Sequence, residues 1–137
     1  MDELEIKFAH MLKQKGFSLT EPRKVIFNYL TNKEPVSLSS INAALASKVD
    51  RASVYRTIDL FITLGIITRH NVGWKYKVEL SDMFATHHHH FTCLNCGKII
   101  AINETDLETF IDKLASRQTF TATEHQVEIQ GYCQVCR

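Results

Sequence analysis

Four cysteines and a run of four histidines are the residues of this chain whose types and spacing could do chemistry. The cysteines form two C-x₂-C pairs, Cys93 with Cys96 and Cys133 with Cys136, and the chain has no other cysteine. Two intervening residues let both thiolates of a pair point at one ion, and four thiolates complete a closed tetrahedral zinc site. One pair alone would leave buried or redox-active thiols as a strong alternative, whereas two pairs favour structural zinc.

The histidine run occupies residues 87–90, directly before the first cysteine pair. On a strand, successive side chains point to opposite faces, so His87 and His89 would face one way and His88 and His90 the other. The run could therefore begin two metal sites, and the alternative is a solvated stretch of histidines. Further candidate ligands are Glu79, Glu108 and His125. Taken singly, each of these residues suits a surface or core role better than a ligand role.

Charge divides the chain into two parts. Residues 1–80 carry 12 lysines and arginines against 8 acidic residues, whereas residues 81–137 carry 4 against 7. The second part also holds all the cysteines and five of the seven histidines. We therefore predict two domains, 1–81 and 82–137, of which the mildly basic first suits nucleic acid and the second suits metal.

The start of the chain, MDELEIKFAHMLKQKG, is charged and helical in pattern and lacks the apolar core of a signal peptide. Apolar runs are too short for a membrane span. We expect a cytoplasmic protein with no membrane partner, and in that reducing compartment paired cysteines bind metal more often than they form disulfides.

Helical periodicity dominates the first part. Apolar spacing predicts a helix over 3–15 and three more, which begin behind the capping residues Thr20, Ser37 and Asp50; the last runs from about Arg51 to Leu64. An early proline, Pro22, supports the start after Thr20. Two short β-rich segments, 66–70 and 74–78, follow around a turn at 71–73. Helices followed by a two-stranded hairpin predict a winged helix-turn-helix.

The second part mixes strands with one helix. Strands are predicted at 87–93, 98–102 and 124–132, and a helix begins at Thr105. The predicted fold class is therefore α+β, with an N-terminal winged helix-turn-helix followed by a small α/β domain.

Three segments together resemble the ferric uptake regulator (Fur) family. They are HHHH-x₂-C-x₂-CGKII at 87–100, RASVYRTI at 51–58 and GFSLTEPR at 16–23, and the similarity spans nearly the whole chain. The resemblance implies a metal-responsive transcription repressor in which the second domain forms a homodimer, with a tetramer left open.

The resemblance also assigns ligands by matching position. The structural zinc site takes Cys93, Cys96, Cys133 and Cys136. A fully matched regulatory site takes His87, His89, Glu108 and His125. A partly matched regulatory site between the domains takes Glu79, His88 and His90.

Two departures from the family pattern concern the partly matched site. The loop before the third helix reads Lys33-Glu34-Pro35-Val36 where the family has a histidine, although Glu34 could substitute. Ala101 stands where the family often has a carboxylate, which argues against peroxide sensing. This site would then bind metal more weakly, use another ligand or be lost, and the fully matched site would sense the metal. Alternatively, both sites remain, and the partly matched one has three or four ligands.

The helix over 51–64 would enter the major groove of DNA with its N-terminal residues toward the bases. Tyr55 could contact a thymine methyl and Arg56 a phosphate or guanine edge, although Tyr55 also suits a packing role. Other predicted DNA contacts are Ser53 on this helix and, on the DNA backbone, Arg23 and Lys15.

These features predict a metal-dependent repressor of metal-uptake genes that binds double-stranded operator DNA. The regulatory ion would be Fe²⁺, Zn²⁺ or Mn²⁺, with iron favoured, beside a structural Zn²⁺. The alternatives are a zinc-uptake regulator of the same family and a zinc-stabilised DNA-binding protein without sensing. An enzyme with a small-molecule substrate is not expected, because the four-cysteine site is closed and no H-x-E motif accompanies C-x-x-C.

Overall fold

A computed structural model of the chain describes residues 2–137, which form two compact units. The first unit ends at Thr86 and the second spans His87–Arg137. Among residues 2–137, no helix combines the length and the apolar character needed to cross a membrane.

The first unit contains four helices and a small antiparallel sheet. In chain order its elements are α1 (Glu3–Gln14), α2 (Glu21–Leu30), β1 (Val36–Ser37), α3 (Leu38–Leu45), α4 (Arg51–Thr63), β2 (Ile67–Val72) and β3 (Lys75–Leu80). The strand order is β1-β3-β2. Strands β2 and β3 form a hairpin directly after α4, and β3 also pairs with β1, the short strand before α3. This arrangement is the predicted winged helix-turn-helix, and it adds a strand, β1, that the sequence pattern did not indicate.

Side-chain caps fix where three of these helices begin. The side chain of Ser37 accepts a hydrogen bond from the backbone N–H of Ser40, and that of Asp50 accepts one from Ser53, as predicted. The Asp2 side chain caps α1 in the same way. Thr20 and Pro22 stand at the start of α2 as predicted, but the Thr20 side chain makes no capping hydrogen bond.

Four phenylalanines form the centre of the core of the first unit. Phe8 stacks on Phe27 with ring centroids 4.0 Å apart, and Phe61 meets Phe8 edge-on at 5.4 Å. Phe84 lies edge-on to Phe27 at 5.1 Å. Because Phe61 belongs to α4, this cluster fixes one face of that helix and leaves the opposite face at the surface.

The hairpin turn lies further along the chain than predicted. Strand pairing runs from Ile67 opposite Leu80 to Val72 opposite Lys75, so the turn consists of Gly73 and Trp74 rather than residues 71–73. Gly73 has φ +60°, which a two-residue turn with glycine in the first position requires. Such turns match the twist of the paired strands. Each strand ends two residues later than predicted.

The second unit consists of a three-stranded sheet and one helix. Its elements are β4 (His89–Cys93), β5 (Ile99–Ile102), α5 (Thr105–Arg117) and β6 (Glu128–Gly131). The strand order is β5-β4-β6, with β4 antiparallel to β5 and parallel to β6. The strands are shorter than predicted but lie in the predicted places, and the α+β fold class is confirmed.

Apolar side chains of the second unit remain at the surface. Phe91 in the central strand pairs in register with Ile100 and Ile129, and each of the three is more than 40% exposed. The helix α5 carries the exposed Phe110 and Leu114, and none of its residues is buried. Exposed apolar surface of this kind is typical of an interface with another chain.

Candidate metal centres

The two cysteine pairs meet at one end of the second sheet. Cys93 ends β4, and the parallel pairing of β4 with β6 places it opposite Gly131, two residues before Cys133. The Sγ atoms of Cys96 and Cys133 are 3.8 Å apart, and the backbone N–H of Cys133 donates to Sγ of Cys93 at 3.4 Å. All four sulfur atoms lie within 4.8 Å of one another, and the four cysteines are free thiols.

Tight turns shape each cysteine pair. In the first, the N–H of Gly97 donates to the carbonyl oxygen of Cys93 at 3.0 Å, and Gly97 has φ +77°. That left-handed conformation is one that glycine adopts without strain. In the second, the N–H of Cys136 donates to the carbonyl oxygen of Cys133 at 3.0 Å. Both turns therefore present two sulfur atoms to the same point.

Backbone N–H groups favour thiolates at this point. Hydrogen bonds from the backbone of Cys96 and Cys133 lower the pKa of the Cys93 thiol to about 6, and the backbone N–H of Cys136 lowers that of Cys133. The Asn95 side chain alone would lower the pKa of Cys136, but the thiols of the other cysteines and burial raise it to about 11. Since thiolate is the form that ligates metal, this set of donors fits a tetrahedral ion.

A second cluster brings together the four residues of the predicted fully matched regulatory site. The ligand atoms of His87, His89, Glu108 and His125 lie within 4.8 Å of one another. Nε2 of His89 is 2.7 Å from Oε1 of Glu108, and Nε2 of His125 is 2.6 Å from Oε2 of the same carboxylate. Nε2 of His87 lies 3.1 Å from Nε2 of His125.

Three separate segments of the second unit supply this cluster. His89 begins β4 and is only 2% exposed, Glu108 lies in the first turn of α5, and His125 precedes β6. Burial alone would raise the pKa of Glu108, but the hydrogen bond with His89 and the charges of the surrounding histidines outweigh it and lower the pKa. Glu108 is therefore a carboxylate at neutral pH, and three imidazoles with one carboxylate fit a divalent transition metal.

The three residues of the partly matched site are found in different units. In the second unit, the rings of His88 and His90 have centroids 4.7 Å apart, and Nδ1 of His90 is 3.0 Å from Oε1 of Glu128. In the first unit, Glu79 is buried on β3, and its Oε1 lies 2.8 Å from Nε2 of His70. The alternation predicted for the histidine run is thus present in the ring contacts.

Two of these partners, His70 and Glu128, were missed by sequence reasoning. His70 pairs in register with Lys77 and Glu79 with Thr68, so His70 and Glu79 are diagonal neighbours on one face of the hairpin. Glu128 pairs with His90 across β4 and β6. Alternation within each strand was the available signal, but it identifies such pairs only when the register is known.

The predicted DNA-contacting side chains of α4 lie close together at its first turns. The Oγ of Ser53 donates to Asp50 at 2.6 Å, and Nη2 of Arg56 donates to Oγ of Ser53 at 3.3 Å. Both the side-chain and backbone hydrogen bonds with Ser53 lower the pKa of Asp50. Tyr55 is half-buried and packs against the core, while its hydroxyl accepts a hydrogen bond from exposed Arg51 at 3.4 Å. Arg56 is therefore the most accessible of the predicted base-reading residues.

Two arginines share a groove between α2 and α4. Arg23 and Arg56 line it together with Thr20, Ser53 and Thr57. Arg23 is held by a hydrogen bond from Nη1 to the carbonyl oxygen of Ser18 at 2.6 Å and lies over the ring of Phe17. Two guanidinium groups at one opening suit a phosphate of the DNA backbone. The remaining predicted contact, Lys15, is exposed at the C-terminal end of α1.

Comparisons with known proteins agree with this architecture. The ferric uptake regulator family matches residues 14–130. A ferric uptake regulation protein of Yersinia pestis is 32% identical over 134 residues, covering 92% of this chain and 89% of the relative. The structure of the Vibrio cholerae ferric uptake regulator is 28% identical with a TM-score of 0.67, covering 90% of this chain and 98% of that one.

The Helicobacter pylori ferric uptake regulator has the same fold, with a TM-score of 0.79 at 20% identity over 97% of this chain and 91% of that one. Family members are transcription regulators rather than enzymes, which confirms both the predicted resemblance and the exclusion of an enzyme. The chain therefore belongs to the ferric uptake regulator family of metal-responsive transcription regulators.

Proposed function

We propose that the chain is a metal-dependent DNA-binding repressor of metal-uptake genes, with Fe²⁺ as the favoured regulatory ion and Zn²⁺ in the four-cysteine site. The observation that carries the proposal is the convergence of His87, His89 and His125 on the carboxylate of Glu108. Such a site can fill and empty with the supply of free metal, whereas a closed thiolate site stays filled. A coupling of about 1–3 kcal/mol between metal and DNA changes DNA affinity roughly 5- to 150-fold.

Relatives favour iron without excluding other ions. The ferric uptake regulation protein of Yersinia pestis is among the similar proteins, but a zinc-bound manganese uptake regulator also shares 26% identity and a TM-score of 0.66. Three imidazoles and one carboxylate accept Fe²⁺, Mn²⁺ or Zn²⁺. A zinc-uptake regulator is therefore the alternative that the metal experiment below decides.

The proposed acting form is a homodimer bound to double-stranded operator DNA in the cytoplasm. The exposed apolar row of Phe91, Ile100 and Ile129 offers the second unit a surface on which two copies can pack. Family members bind operator DNA as dimers, and no observation supports the tetramer that the sequence left open. Two copies present two α4 helices, which suits a palindromic operator.

Operator binding should depend on metal and on Arg56. With the zinc site filled, adding Fe²⁺ should strengthen binding of operator DNA, and Arg56→Ala should weaken it by about 5- to 150-fold because a lost base or phosphate contact costs roughly 1–3 kcal/mol. Fluorescence anisotropy of labelled operator, titrated with Fe²⁺, Mn²⁺, Zn²⁺ or chelator, measures both effects.

Arg117→Ala, at the end of the exposed helix α5, is the matched control and should leave DNA affinity unchanged. Equal binding by metal-loaded and chelated protein would contradict metal-dependent repression. If no second metal binds after the zinc, the chain is instead a zinc-stabilised DNA-binding protein without sensing.

We also propose that His70 acts together with Glu79 of the same hairpin as a regulatory metal ligand and so supplies the histidine that the loop at Pro35 lacks. Its Nε2 already lies 2.8 Å from Oε1 of Glu79 on the hairpin, and both side chains are largely shielded from solvent. An imidazole beside a carboxylate is a common pair of metal ligands. The loop departure would then be a change of ligand rather than the loss of a site.

His70→Ala should lower the affinity for one equivalent of regulatory metal by more than about tenfold. Even the loss of a residue that only hydrogen-bonds a metal ligand lowers metal affinity about 10- to 100-fold. Calorimetric titration with Mn²⁺, carried out after the cysteine site is filled, measures this equivalent. The control is His10→Ala, which removes an exposed histidine of α1. Identical titrations of the two variants would show that His70 only hydrogen-bonds Glu79.

A further inference from the structure

The groove between α2 and α4 has a polar residue in its wall that lies almost entirely out of solvent. Thr57 of α4 lines the groove and is only 7% exposed, and its hydroxyl makes no hydrogen bond with another residue of the described range 2–137. A buried hydroxyl without a partner is unfavourable, and a ligand that accepts or donates a hydrogen bond in the groove would remove that cost. The groove has a volume of about 200 Å³, far more than a single water molecule needs.

The start of α2 adds backbone donors to the same groove. Thr20 precedes this helix, but its side chain makes no capping hydrogen bond, and Pro22 in the first turn has no N–H. The N–H groups of Glu21 and Arg23 therefore begin the helix without a capping side chain, at the positive end of the helix dipole. Such a helix start favours a bound anion.

Two guanidinium groups complete the set of donors. Arg23 and Arg56 both line the groove, and each already makes one hydrogen bond, Arg23 to the carbonyl oxygen of Ser18 and Arg56 to Oγ of Ser53. A guanidinium has five N–H donors, so both arginines keep donors for a ligand. None of the described residues that line the groove is acidic.

The number of donors exceeds what the DNA backbone can use. A phosphodiester of DNA carries one negative charge and has only two unesterified oxygens. A phosphate monoester carries a charge of about −1.5 to −2 at pH 7 and has three strong acceptor oxygens. Two guanidinium groups, the hydroxyl of Thr57 and the uncapped N–H of Arg23 match the charge and the oxygens of such a dianion better than those of a diester.

We propose that this groove binds a free phosphate dianion, either inorganic phosphate or a phosphate monoester, which competes with the DNA backbone for Arg23 and Arg56. The competition rests on the proposed operator binding and adds a small-molecule signal to it. At constant metal, operator affinity would then fall as free phosphate rises.

Fluorescence anisotropy of labelled operator measures the competition with the full-length protein, its cysteine site filled and Mn²⁺ present. Inorganic phosphate and glycerol phosphate are each compared with chloride at equal ionic strength, because salt alone weakens DNA binding. At ten times its own dissociation constant, a competing phosphate should raise the apparent Kd for operator about tenfold beyond the effect of chloride. A larger effect of glycerol phosphate would identify the monoester as the ligand.

Backbone amide NMR of the same protein without DNA and without Mn²⁺ locates the binding. Titration with inorganic phosphate should shift the amide resonances of Arg23 and Thr57 most strongly, because these residues lie at the uncapped helix start and at the buried hydroxyl. This measurement does not depend on operator binding.

Thr57→Val removes the buried hydroxyl and keeps the branched shape, so it should lower phosphate affinity by more than about tenfold, the scale of a hydrogen bond to a charged group. Thr57→Ser keeps a hydroxyl and should retain phosphate binding. The matched control is Thr63→Val, the same change at an exposed position of α4 outside the groove, and it should behave like the unaltered chain. Any loss of free Mn²⁺ to phosphate affects these variants equally, so their difference reports on the groove alone.

The two proposals fail in distinguishable ways. If phosphate weakens operator binding no more than chloride does, or acts equally on Thr57→Val and Thr63→Val, the phosphate site is excluded and operator binding stands. If operator binds in neither salt, the proposed function fails, whereas the amide titration still decides whether the groove holds phosphate. Amide shifts at Arg23 and Thr57 without competition would overturn the regulatory role of the groove.

Discussion

Cys133→Ser should abolish zinc binding and unfold His87–Arg137 while leaving the first unit folded. The buried apolar residues of the described second unit are only Cys93 and Ile99, whereas the first unit has a large core of its own. Zinc in small modules contributes about 10–16 kcal/mol, which is comparable with the entire stability of a domain. Without the fourth thiolate, β6 and the C-terminal turn lose the ion that would hold them to β4.

The measurement is zinc content together with hydrogen exchange resolved along the chain. Protection should vanish across β4, β5 and β6 and persist in the helices around Phe8 and Phe61. Val135→Ala changes a 91% exposed residue of the same turn without touching a ligand, and it should keep both zinc and protection. Retained zinc in Cys133→Ser, or exchange spread evenly over both units, would contradict the proposed role of the ion.

Glu108→Ala combined with His125→Ala should remove regulatory metal from the cluster around His89 while sparing structural zinc. Because two of the four ligands are removed, affinity for the regulatory metal should fall by more than about 100-fold. That is the largest loss typical of removing a residue that only hydrogen-bonds a ligand. Metal-stimulated operator binding should fall with it. Titration of Fe²⁺ or Mn²⁺ under anaerobic conditions, followed by anisotropy with labelled operator, measures both quantities on one sample.

The matched control replaces two exposed acidic residues that are not part of the cluster. They are Asp112, on α5, and Glu124, next to His125 in the sequence. This double variant should titrate like the unaltered chain. If Glu108→Ala with His125→Ala retains metal-dependent operator binding, sensing belongs instead to the partly matched ligands Glu79, His88 and His90.

Local sequence signals predicted much of the fold. The caps at Ser37 and Asp50 and the apolar stripe of α4 depend on residues three or four apart, so their structure follows from short-range chemistry. The hairpin turn was misplaced by the same logic, because a lone glycine marks a turn without saying which side of it the second turn residue lies on. Strand pairing, which is not local, places Gly73 first and Trp74 second.

The candidate site was predictable to the extent that it depends on alternation along one strand. His87 with His89, and His88 with His90, follow from the two-residue repeat of a strand. Glu108 and His125 became specific candidates only through family resemblance, because α5 and the segment before β6 reach β4 by tertiary packing. His70 was missed altogether, since only the register of β2 with β3 brings it to Glu79.

Strand β4 couples the two metal centres through its length. His89 begins the strand and Cys93 ends it, so the cysteine that would anchor zinc also fixes which histidines turn toward Glu108. A shift of one residue along this strand would exchange the two faces and present His88 and His90 to Glu108 instead. Substitutions at residues 91 and 92 should therefore disturb the two metal sites far less than an insertion or deletion there. The length of this segment decides which pair of histidines faces Glu108.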